Sequence, residues 1–410
     1  MRKKKRRIVL DIDSLAAGGD GVARDSEGRV TFIPRAVPGD RALVELQTEK
    51  KQFARGRVIE ILKEGPHHQK PACDLFTKDL CGGCQWQHID AETQPAAKEE
   101  NVDKGLRRVI ARGLVRKPLM QPCTPYGWRR RARLSYWAGG PKLLGFFPPK
   151  SQRITDIETC PQLEEKLQTA LGIVRKHLLE ELRQRGEVEI LLAEDGRCHV
   201  VVHGTATPMG LSELAEQPEI AGVVNGKRLY GDAAVVLEGG IVSAASDFAQ
   251  ASAAGNAKLC EVVSEALGDL SGKSVLELYA GSGNFTRLMK GASRVVAVEC
   301  NPMPEGGIEG VALEWCDGDV TEEVHALAES EQSFDIVLLD PTRSGSRDAL
   351  EDIARLNPQR IVYISCDVAT LSRDVEELHE LGYRGVSAQP IDLMPQTSHV
   401  ETVIVLEKEG

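Results

Sequence analysis

Apolar and polar positions follow three different rhythms along this chain. Between Arg7 and about Lys63, short β-type runs (RIVLDI, LAAGGDGVARDSEGRV, TFIPRAVPGDRALVEL, ARGRVIEIL) are separated by turn-forming residues, which predicts a small β-barrel. The segment GPHHQKPA at 65–72 interrupts any regular element and opens a cysteine-rich stretch, placing a domain boundary there. A mixed region follows, with a helical pattern near 91–113, a strand RRRARLSYW, a helix from about Pro161 to Arg185, and strands at VEILLAE and CHVVVHG. From about residue 255 the rhythm becomes a helix at 256–267, then SVLELY, RVVAVE, DIVLLD and RIVYIS, a helix at 370–381, and TVIVLE. This alternation predicts an open, mostly parallel sheet wrapped by helices. The expected architecture is a multidomain α/β protein: an OB-like barrel at 1–65, a mixed α+β central domain at 66–254 and a Rossmann-like domain at 255–410.

At 410 residues the chain is longer than one hydrophobic core usually serves. No stretch approaches the roughly 20 apolar residues of a membrane span. The start, MRKKKRRIVLDID, carries aspartates where a secretory signal would be apolar, so a solvated basic arm and a cytoplasmic protein are expected. In that compartment ten cysteines point to reduced, metal-bound or catalytic thiols and away from disulfides. The net charge of −10 hides an asymmetry: residues 1–150 hold 30 Lys and Arg against 17 Asp and Glu, and residues 151–410 hold 21 against 44. One end is thus suited to a polyanion such as RNA, whose phosphates supply most non-specific affinity.

Ligands of open α/β sheets bind beyond the carboxyl ends of the strands. There, LELYAGSGNF sets Gly281 and Gly283 directly after an apolar strand, where a ligand can approach backbone at a helix start. The third glycine of a dinucleotide fingerprint is replaced by Thr286, which disfavours NAD and favours another adenosine ligand. Glu299 ends the next strand, where an acid can hold both ribose hydroxyls. Cys73, Cys81 and Cys84, spaced C-x7-C-x2-C, form with the distant Cys160 a four-thiolate set that suits zinc or an iron–sulfur cluster. The basic run WRRRARLSYW interleaves Arg129, Arg130, Arg131 and Arg133 with aromatics that can stack on bases.

The next two strands end in DPTRSG and YISCDVATLSRD. Together with LELYAGSGNF, the tail MPQTSHVET and the cysteine set, they make the chain, from about residue 7 to 408, resemble the RNA uracil-5-methyltransferases, most closely the iron–sulfur members that modify 23S ribosomal RNA. The N-terminal barrel resembles a TRAM domain. The resemblance implies S-adenosylmethionine as methyl donor, a [4Fe-4S] cluster in preference to zinc, and structured RNA, ribosomal more than transfer RNA, as partner of a monomeric enzyme. It also implies a mechanism: a thiolate adds to uracil C6, the resulting enolate is methylated at C5, and a base removes the C5 proton so that the thiolate is expelled. Cys366, one residue past RIVYIS and before a helix whose dipole favours a thiolate, is the expected nucleophile. By the same match Glu401 is the base, Asp340 lies between cofactor and target base, Gln250, Tyr279, Asn284 and Glu299 contact the cofactor, and Asp319 lies near its adenine.

The chain departs from the family in three places. Thr342 replaces the second proline of DPPR-x-G, Asp367-Val368 replaces the Asn-Pro after the cysteine, and CNPMPEGGIEG at 300–310 is too short for an ordinary crossover helix. An aspartate beside the nucleophile is expected to raise its pKa. Two rival readings share some of these features: a radical iron–sulfur enzyme of the methylthiotransferase type, which needs one open iron site, and a non-catalytic RNA-binding factor that retains a methyltransferase shell.

Overall fold

The computed structural model describes residues 6–303 and 307–410, so most of the basic arm and part of the short 300–310 segment lie outside the described residues. The chain divides into two compact units, one made of residues up to Asn101 with Phe147–Arg153 and Met394–His399, the other of Val102–Phe146, Ile154–Leu393 and Val400–Gly410.

In the first unit β1 (Arg7–Asp11), β2 (Ser14–Leu15), β3 (Gly21–Arg24), β4 (Val30–Ile33), β5 (Arg41–Glu49) and β6 (Phe53–Lys63) form one sheet in the order β1-β5-β6-β4-β3-β2. Alternation along β5 turns Ala42, Val44 and Leu46 inward onto Leu10, Ile12, Ile33 and Ala54, which is the expected barrel core. The buried Asp40 carboxylate accepts the Val37 and Gly65 amides at 2.9 and 2.8 Å, tying the turn before β5 to the chain that leaves β6. The short α1 (Asp74–Thr77) lies in the cysteine-rich stretch, and α2 (Thr93–Ala111) follows it.

The second unit holds two larger sheets and a hairpin. β7 (Val115–Arg116) is an edge strand of the last sheet. β8 (Arg131–Trp137), β9 (Leu143–Phe146), β10 (Thr155–Asp156), β11 (Leu182–Leu192), β12 (Cys198–Ala206), β13 (Ile220–Asn225) and β14 (Arg228–Gly231) form a seven-stranded sheet in the order β10-β9-β8-β11-β12-β13-β14. It carries α3 (Glu165–Leu178) and α4 (Pro208–Ala215), and β15 (Ala234–Leu237) pairs with β16 (Ile241–Ala244) as a hairpin. The helix expected over 161–185 is shorter: it ends at Leu178, and Leu182 already pairs with Ala206 in β11. Gly186 explains part of this, because a Cβ there would stand 2.3 Å from the His203 carbonyl, a strand approach open only to glycine.

The C-terminal region contains α5 (Ala253–Leu267), β17 (Ser274–Leu278), β18 (Arg294–Glu299), β19 (Leu313–Asp317), α6 (Val320–Glu329), β20 (Ile336–Leu339), α7 (Leu350–Arg355), β21 (Arg360–Ser365), α8 (Val368–Glu380), β22 (Tyr383–Ile391) and β23 (Glu401–Lys408). Their sheet order is β19-β18-β17-β20-β21-β23-β22-β7. The first five strands are parallel, as the near-continuous apolar runs predict. β23 runs antiparallel between β21 and β22. α8 buries Leu371, Val375 and Leu378 on one face and starts at Asp367, whose side chain accepts the Ala369 and Thr370 amides at 2.9 and 3.0 Å. Among the described residues no helix is long and apolar enough to cross a membrane.

Candidate active site

The strand order reverses beside β17: the chain moves outward through β18 and β19, then returns to β20 on the other side. A crevice therefore opens between the carboxyl ends of β17 and β20, the usual ligand position in such sheets. Tyr279 to Gly283 follow β17, Asp340 follows β20, and Cys366 follows β21. Because β23 is antiparallel, its first residue stands at this same edge. Thr402 pairs with Ser365, so Glu401 comes level with Cys366.

Three groups at this edge interact through charge, and Arg343 joins them. Burial pushes the Cys366 thiol up to about 11, Glu401 and Asp340 push it the same way, and the Arg343 guanidinium opposes them. Burial also raises Glu401 above the carboxylate range, with Asp340 adding and Arg343 opposing, and burial raises Asp340 likewise. The net direction is upward, as expected from an acid beside the thiol, and not downward as the helix dipole alone would have it. The amides that open α8 are already capped by the Asp367 carboxylate, and burial first, then Glu401 and Asp340 from beside other strands, disfavour the thiolate.

The cofactor wall is built from backbone held in unusual shape. Tyr279 takes φ +63° and its hydroxyl meets Ser346 Oγ at 3.0 Å. The Gly281 amide donates to Glu299 Oε2 at 2.9 Å, while Asn301 Nδ2 donates to Oε1 at 2.7 Å, fixing the acid beside the turn. A Cβ on Gly283 would stand 2.3 Å from Ile308 Cδ1, so this short segment, non-helical where described, packs an isoleucine on the turn. Beyond the turn there is only a 3-10 turn, Thr286–Leu288, and not the expected helix start. Asn284 is joined to Asn256 by two reciprocal amide hydrogen bonds of 2.8 and 2.9 Å. Asp319 caps α6 by accepting the Thr321 and Glu322 amides. The Gln250 carbonyl accepts Arg130 Nε at 2.9 Å.

One residue of this pocket was missed from the sequence. Glu277 is buried in the middle of β17 beside Thr286, and burial lifts its carboxyl to about 8, with Thr286 opposing and Asp340 and Glu299 adding. An acid inside the apolar run SVLEL, directly before the glycine turn, was the available signal. A buried acid in the strand below an open turn and a second acid held beside that turn suit the amino-acid and ribose ends of an adenosyl sulfonium. Because the folded carboxyl binds its proton more tightly than an unfolded glutamate, stability contributed here is present below the unfolded pKa and declines as pH rises from there through about 8. Glu277→Gln is therefore expected to flatten the fall of Tm over that range while weakening S-adenosylhomocysteine binding, both readable by thermal melts and calorimetry.

The basic run does not face outward as a whole. Arg130 is 1% exposed, ion-paired with Glu238, and Arg131 is paired with Glu189, so these two arginines are structural and not RNA-facing. The Arg129 guanidinium lies over Trp128 at 5.1 Å with its Nε buried, and Arg133 stays exposed beside Glu187. Of the interleaved aromatics, Trp128 and Tyr136 are core residues and Trp137 is exposed.

Cys73, Cys81 and Cys84 belong to the first unit and Cys160 to the second; none is in a disulfide, and all are part-buried. The Gly83 amide points at Cys81 Sγ at 3.4 Å. The donors suit a soft metal in chemistry, but among the described residues no three His, Cys, Asp or Glu side chains stand together as a metal site.

Comparison with known proteins agrees with this geometry. Residues 323–409 match the tRNA (Uracil-5-)-methyltransferase family and residues 2–59 the TRAM domain. The chain is 33% identical to a 23S rRNA (uracil(1939)-C(5))-methyltransferase RlmD of Klebsiella pneumoniae, covering 98% of this chain and 96% of that one. It is 33% identical to the RlmD of Pectobacterium carotovorum, over 97% and 93% of the two chains. Among solved structures, the tRNA (uracil-54, C5)-methyltransferase of Pyrococcus abyssi, in complex with S-adenosyl-L-homocysteine, shares the fold with a TM-score of 0.71 at 20% identity, over 97% of this chain and 100% of that one. With a thiol, two buried acids and a glycine turn gathered at one sheet edge and full-length relatives at this identity, the chain belongs to the RNA (uracil-C5)-methyltransferase family.

Proposed function

We propose that this protein methylates C5 of a uridine in 23S ribosomal RNA through a covalent adduct between Cys366 and C6 of the base. The observation that carries the reading is the meeting of Cys366, Glu401 and Asp340 at the carboxyl edge of a parallel sheet, next to the Gly281–Gly283 turn. S-adenosylmethionine, when bound, supplies the electrophilic methyl group. Glu299 and the Gly281 turn would hold its ribose, Glu277 would lie in the strand beneath its amino-acid end, and Tyr279, Asn284, Gln250 and Asp319 would complete the wall. Cys366 gives its proton to solvent and adds to C6 as the thiolate, breaking the C5=C6 π bond and placing the electron pair on the C4 oxygen as an enolate. After C5 is methylated, Glu401 accepts the C5 proton, C5=C6 re-forms and the thiolate leaves. C5 and C6 are shielded within a stacked helix, so the uridine enters the crevice flipped out.

The segments 1–65, 66–254 and 255–410 then serve as RNA-binding barrel, RNA-facing middle domain and catalytic domain of a monomer acting in the cytoplasm. We read Cys73, Cys81, Cys84 and Cys160 as ligands of a [4Fe-4S] cluster with a structural role: four thiolates suit a soft metal, and resemblance to the iron–sulfur members of the family is what favours the cluster. Zinc is the alternative, and metal analysis of anaerobically purified protein separates them. No catalytic step depends on that metal. Incubating purified protein with labelled S-adenosylmethionine and unmodified 23S RNA tests the main reading: 5-methyluridine at one position is expected, and label absent from C5 of any uridine refutes it.

Two arginines of one strand are expected to behave differently. Arg130→Ala strips a buried charge partner from Glu238 and should cost about 3 kcal/mol of stability. Arg133→Ala should leave stability within about 0.5 kcal/mol but weaken RNA binding and lower the salt slope by about 1. Denaturant unfolding and filter binding at several salt concentrations measure both.

A further inference from the structure

We propose that Asp374 is a positioning residue for this active site: its buried carboxylate anchors the loop from Thr342 to Ser346 and so holds Arg343 in place against Cys366, Glu401 and Asp340. The role rests on the methyltransferase reading for its purpose, but the anchoring stands on geometry alone.

Asp374 lies on α8 at 0% exposure, where an ionised carboxylate is expensive unless its oxygens are satisfied. They are. Oδ2 accepts the Tyr363 hydroxyl at 2.6 Å and the Ser346 amide at 2.9 Å, and Oδ1 accepts Arg373 Nε at 2.7 Å. Arg373 Nη2 then donates to the Ser344 carbonyl at 2.9 Å, so the loop is held at two points by neighbouring residues of one helix. Between those points Gly345 takes φ +78°, and a Cβ there would stand 2.3 Å from Asp374 Oδ2, so the loop sits against the carboxylate with no room for a side chain. The loop is closed on itself by the Gly345 amide on the Thr342 carbonyl at 3.0 Å, and the Thr342 hydroxyl meets Ser344 Oγ at 2.8 Å.

The consequence runs toward the chemistry in two directions. Tyr363 lies on β21, three residues before Cys366, so a single carboxylate ties the strand of the nucleophile to the loop that follows Asp340. Ser346 Oγ in turn meets the Tyr279 hydroxyl, joining the same anchor to the cofactor wall. Arg343 is the second residue of this loop, inside the turn that the Gly345 amide closes on Thr342 and next to the anchored Ser344, and is the cation that favours both the Cys366 thiolate and the Glu401 carboxylate, against the opposing pull of Asp340. A core-filling role would not need a charge at this position; a loop that must hold a guanidinium near a thiol does.

The test uses Gly345→Ala, which pushes the loop off an intact Asp374, and Asp374→Asn, which keeps one acceptor and removes the other. In each full-length variant the pH dependence of Cys366 alkylation by iodoacetamide is followed on the 366-containing peptide by mass spectrometry, without RNA or cofactor. The midpoint is expected to move up by roughly half a unit to one unit, since an exposed cation lost from a half-buried thiol shifts it less than a buried one would. Covalent trapping of 5-fluorouridine RNA is expected to slow by about 10- to 100-fold with KM for RNA little changed. A midpoint that stays put in folded Gly345→Ala protein overturns the proposal, even if Asp374→Asn does not fold. If wild-type protein methylates no RNA while both midpoints still move, the anchoring holds and the assigned reaction falls.

Discussion

Cys366→Ala protein is expected to lose methylation by about ten-thousand-fold or more, the scale seen when a covalent nucleophile is removed. The reason is chemical. C5 of an unmodified uracil does not attack a methyl sulfonium, and only saturation at C6 raises its electron density. The other thiol beyond a strand end here, Cys300, stands after β18 hydrogen-bonded to Glu299, which raises its pKa, so Cys366 is the thiol placed with Glu401 and Asp340, carboxyl groups whose burial favours the protonated form. The substitution removes one sulfur atom from a half-buried position and leaves the Gly281 turn and Glu299 untouched, so binding of S-adenosylhomocysteine should persist. Wild-type protein should form a stable adduct with 5-fluorouridine RNA, because fluorine at C5 cannot be removed as a proton, and the variant should form none. Retention of a tenth of wild-type turnover would remove Cys366 from the mechanism.

Glu401→Gln should fail at a different point. Addition at C6 and methylation at C5 do not use the base, but release does, so the variant should accumulate a protein–RNA adduct on ordinary RNA while product formation falls by roughly 100- to 10,000-fold. Denaturing gels show the adduct as a shifted band, and its absence in a correctly folded variant counts against Glu401 as the base. The wild-type rate should also depend on pH in a defined direction. Burial and Asp340 hold Glu401 above the ordinary carboxylate range, so the group becomes a competent base only as pH rises, and the acid limb of kcat should lie above that range. In Glu401→Gln protein that limb disappears from the rate of adduct decay.

The parts of the fold that were legible in the sequence are those whose environment is uniform. SVLEL, RVVAVE, IVLL and RIVYIS are buried on both faces, so a mainly apolar run marks each one, and the strand ends mark the positions for chemistry, while the roles of Asp340 and Glu401 came from family resemblance. β22 was not recognised, because YRGVSAQPI mixes glycine, proline and charge and owes its place to pairing with β23. Arg130 and Arg131 were read as an RNA-facing run because their partners are 108 and 58 residues away, and no local pattern reveals an ion pair over that distance. Glu277 was hidden by the opposite error, an acid passed over within a strand that otherwise announces core. For Cys366 the helix start and the adjacent Asp367 were legible as opposing influences on the thiol, whereas its burial and two acids brought in by sheet topology were not.

The position of β23 has a bearing on how the protein is made. It comes latest in sequence among the strands of its sheet, yet it lies between β21 and β22 and not at a border. A nascent chain that has emerged only as far as Leu393 would already contain Cys366, while β21 would lack its neighbour β23 and Glu401, the proposed base, would not exist. Competence thus arrives in one stroke with the final insertion, and a half-translated polypeptide has little opportunity to become stranded on RNA through a bond it cannot release.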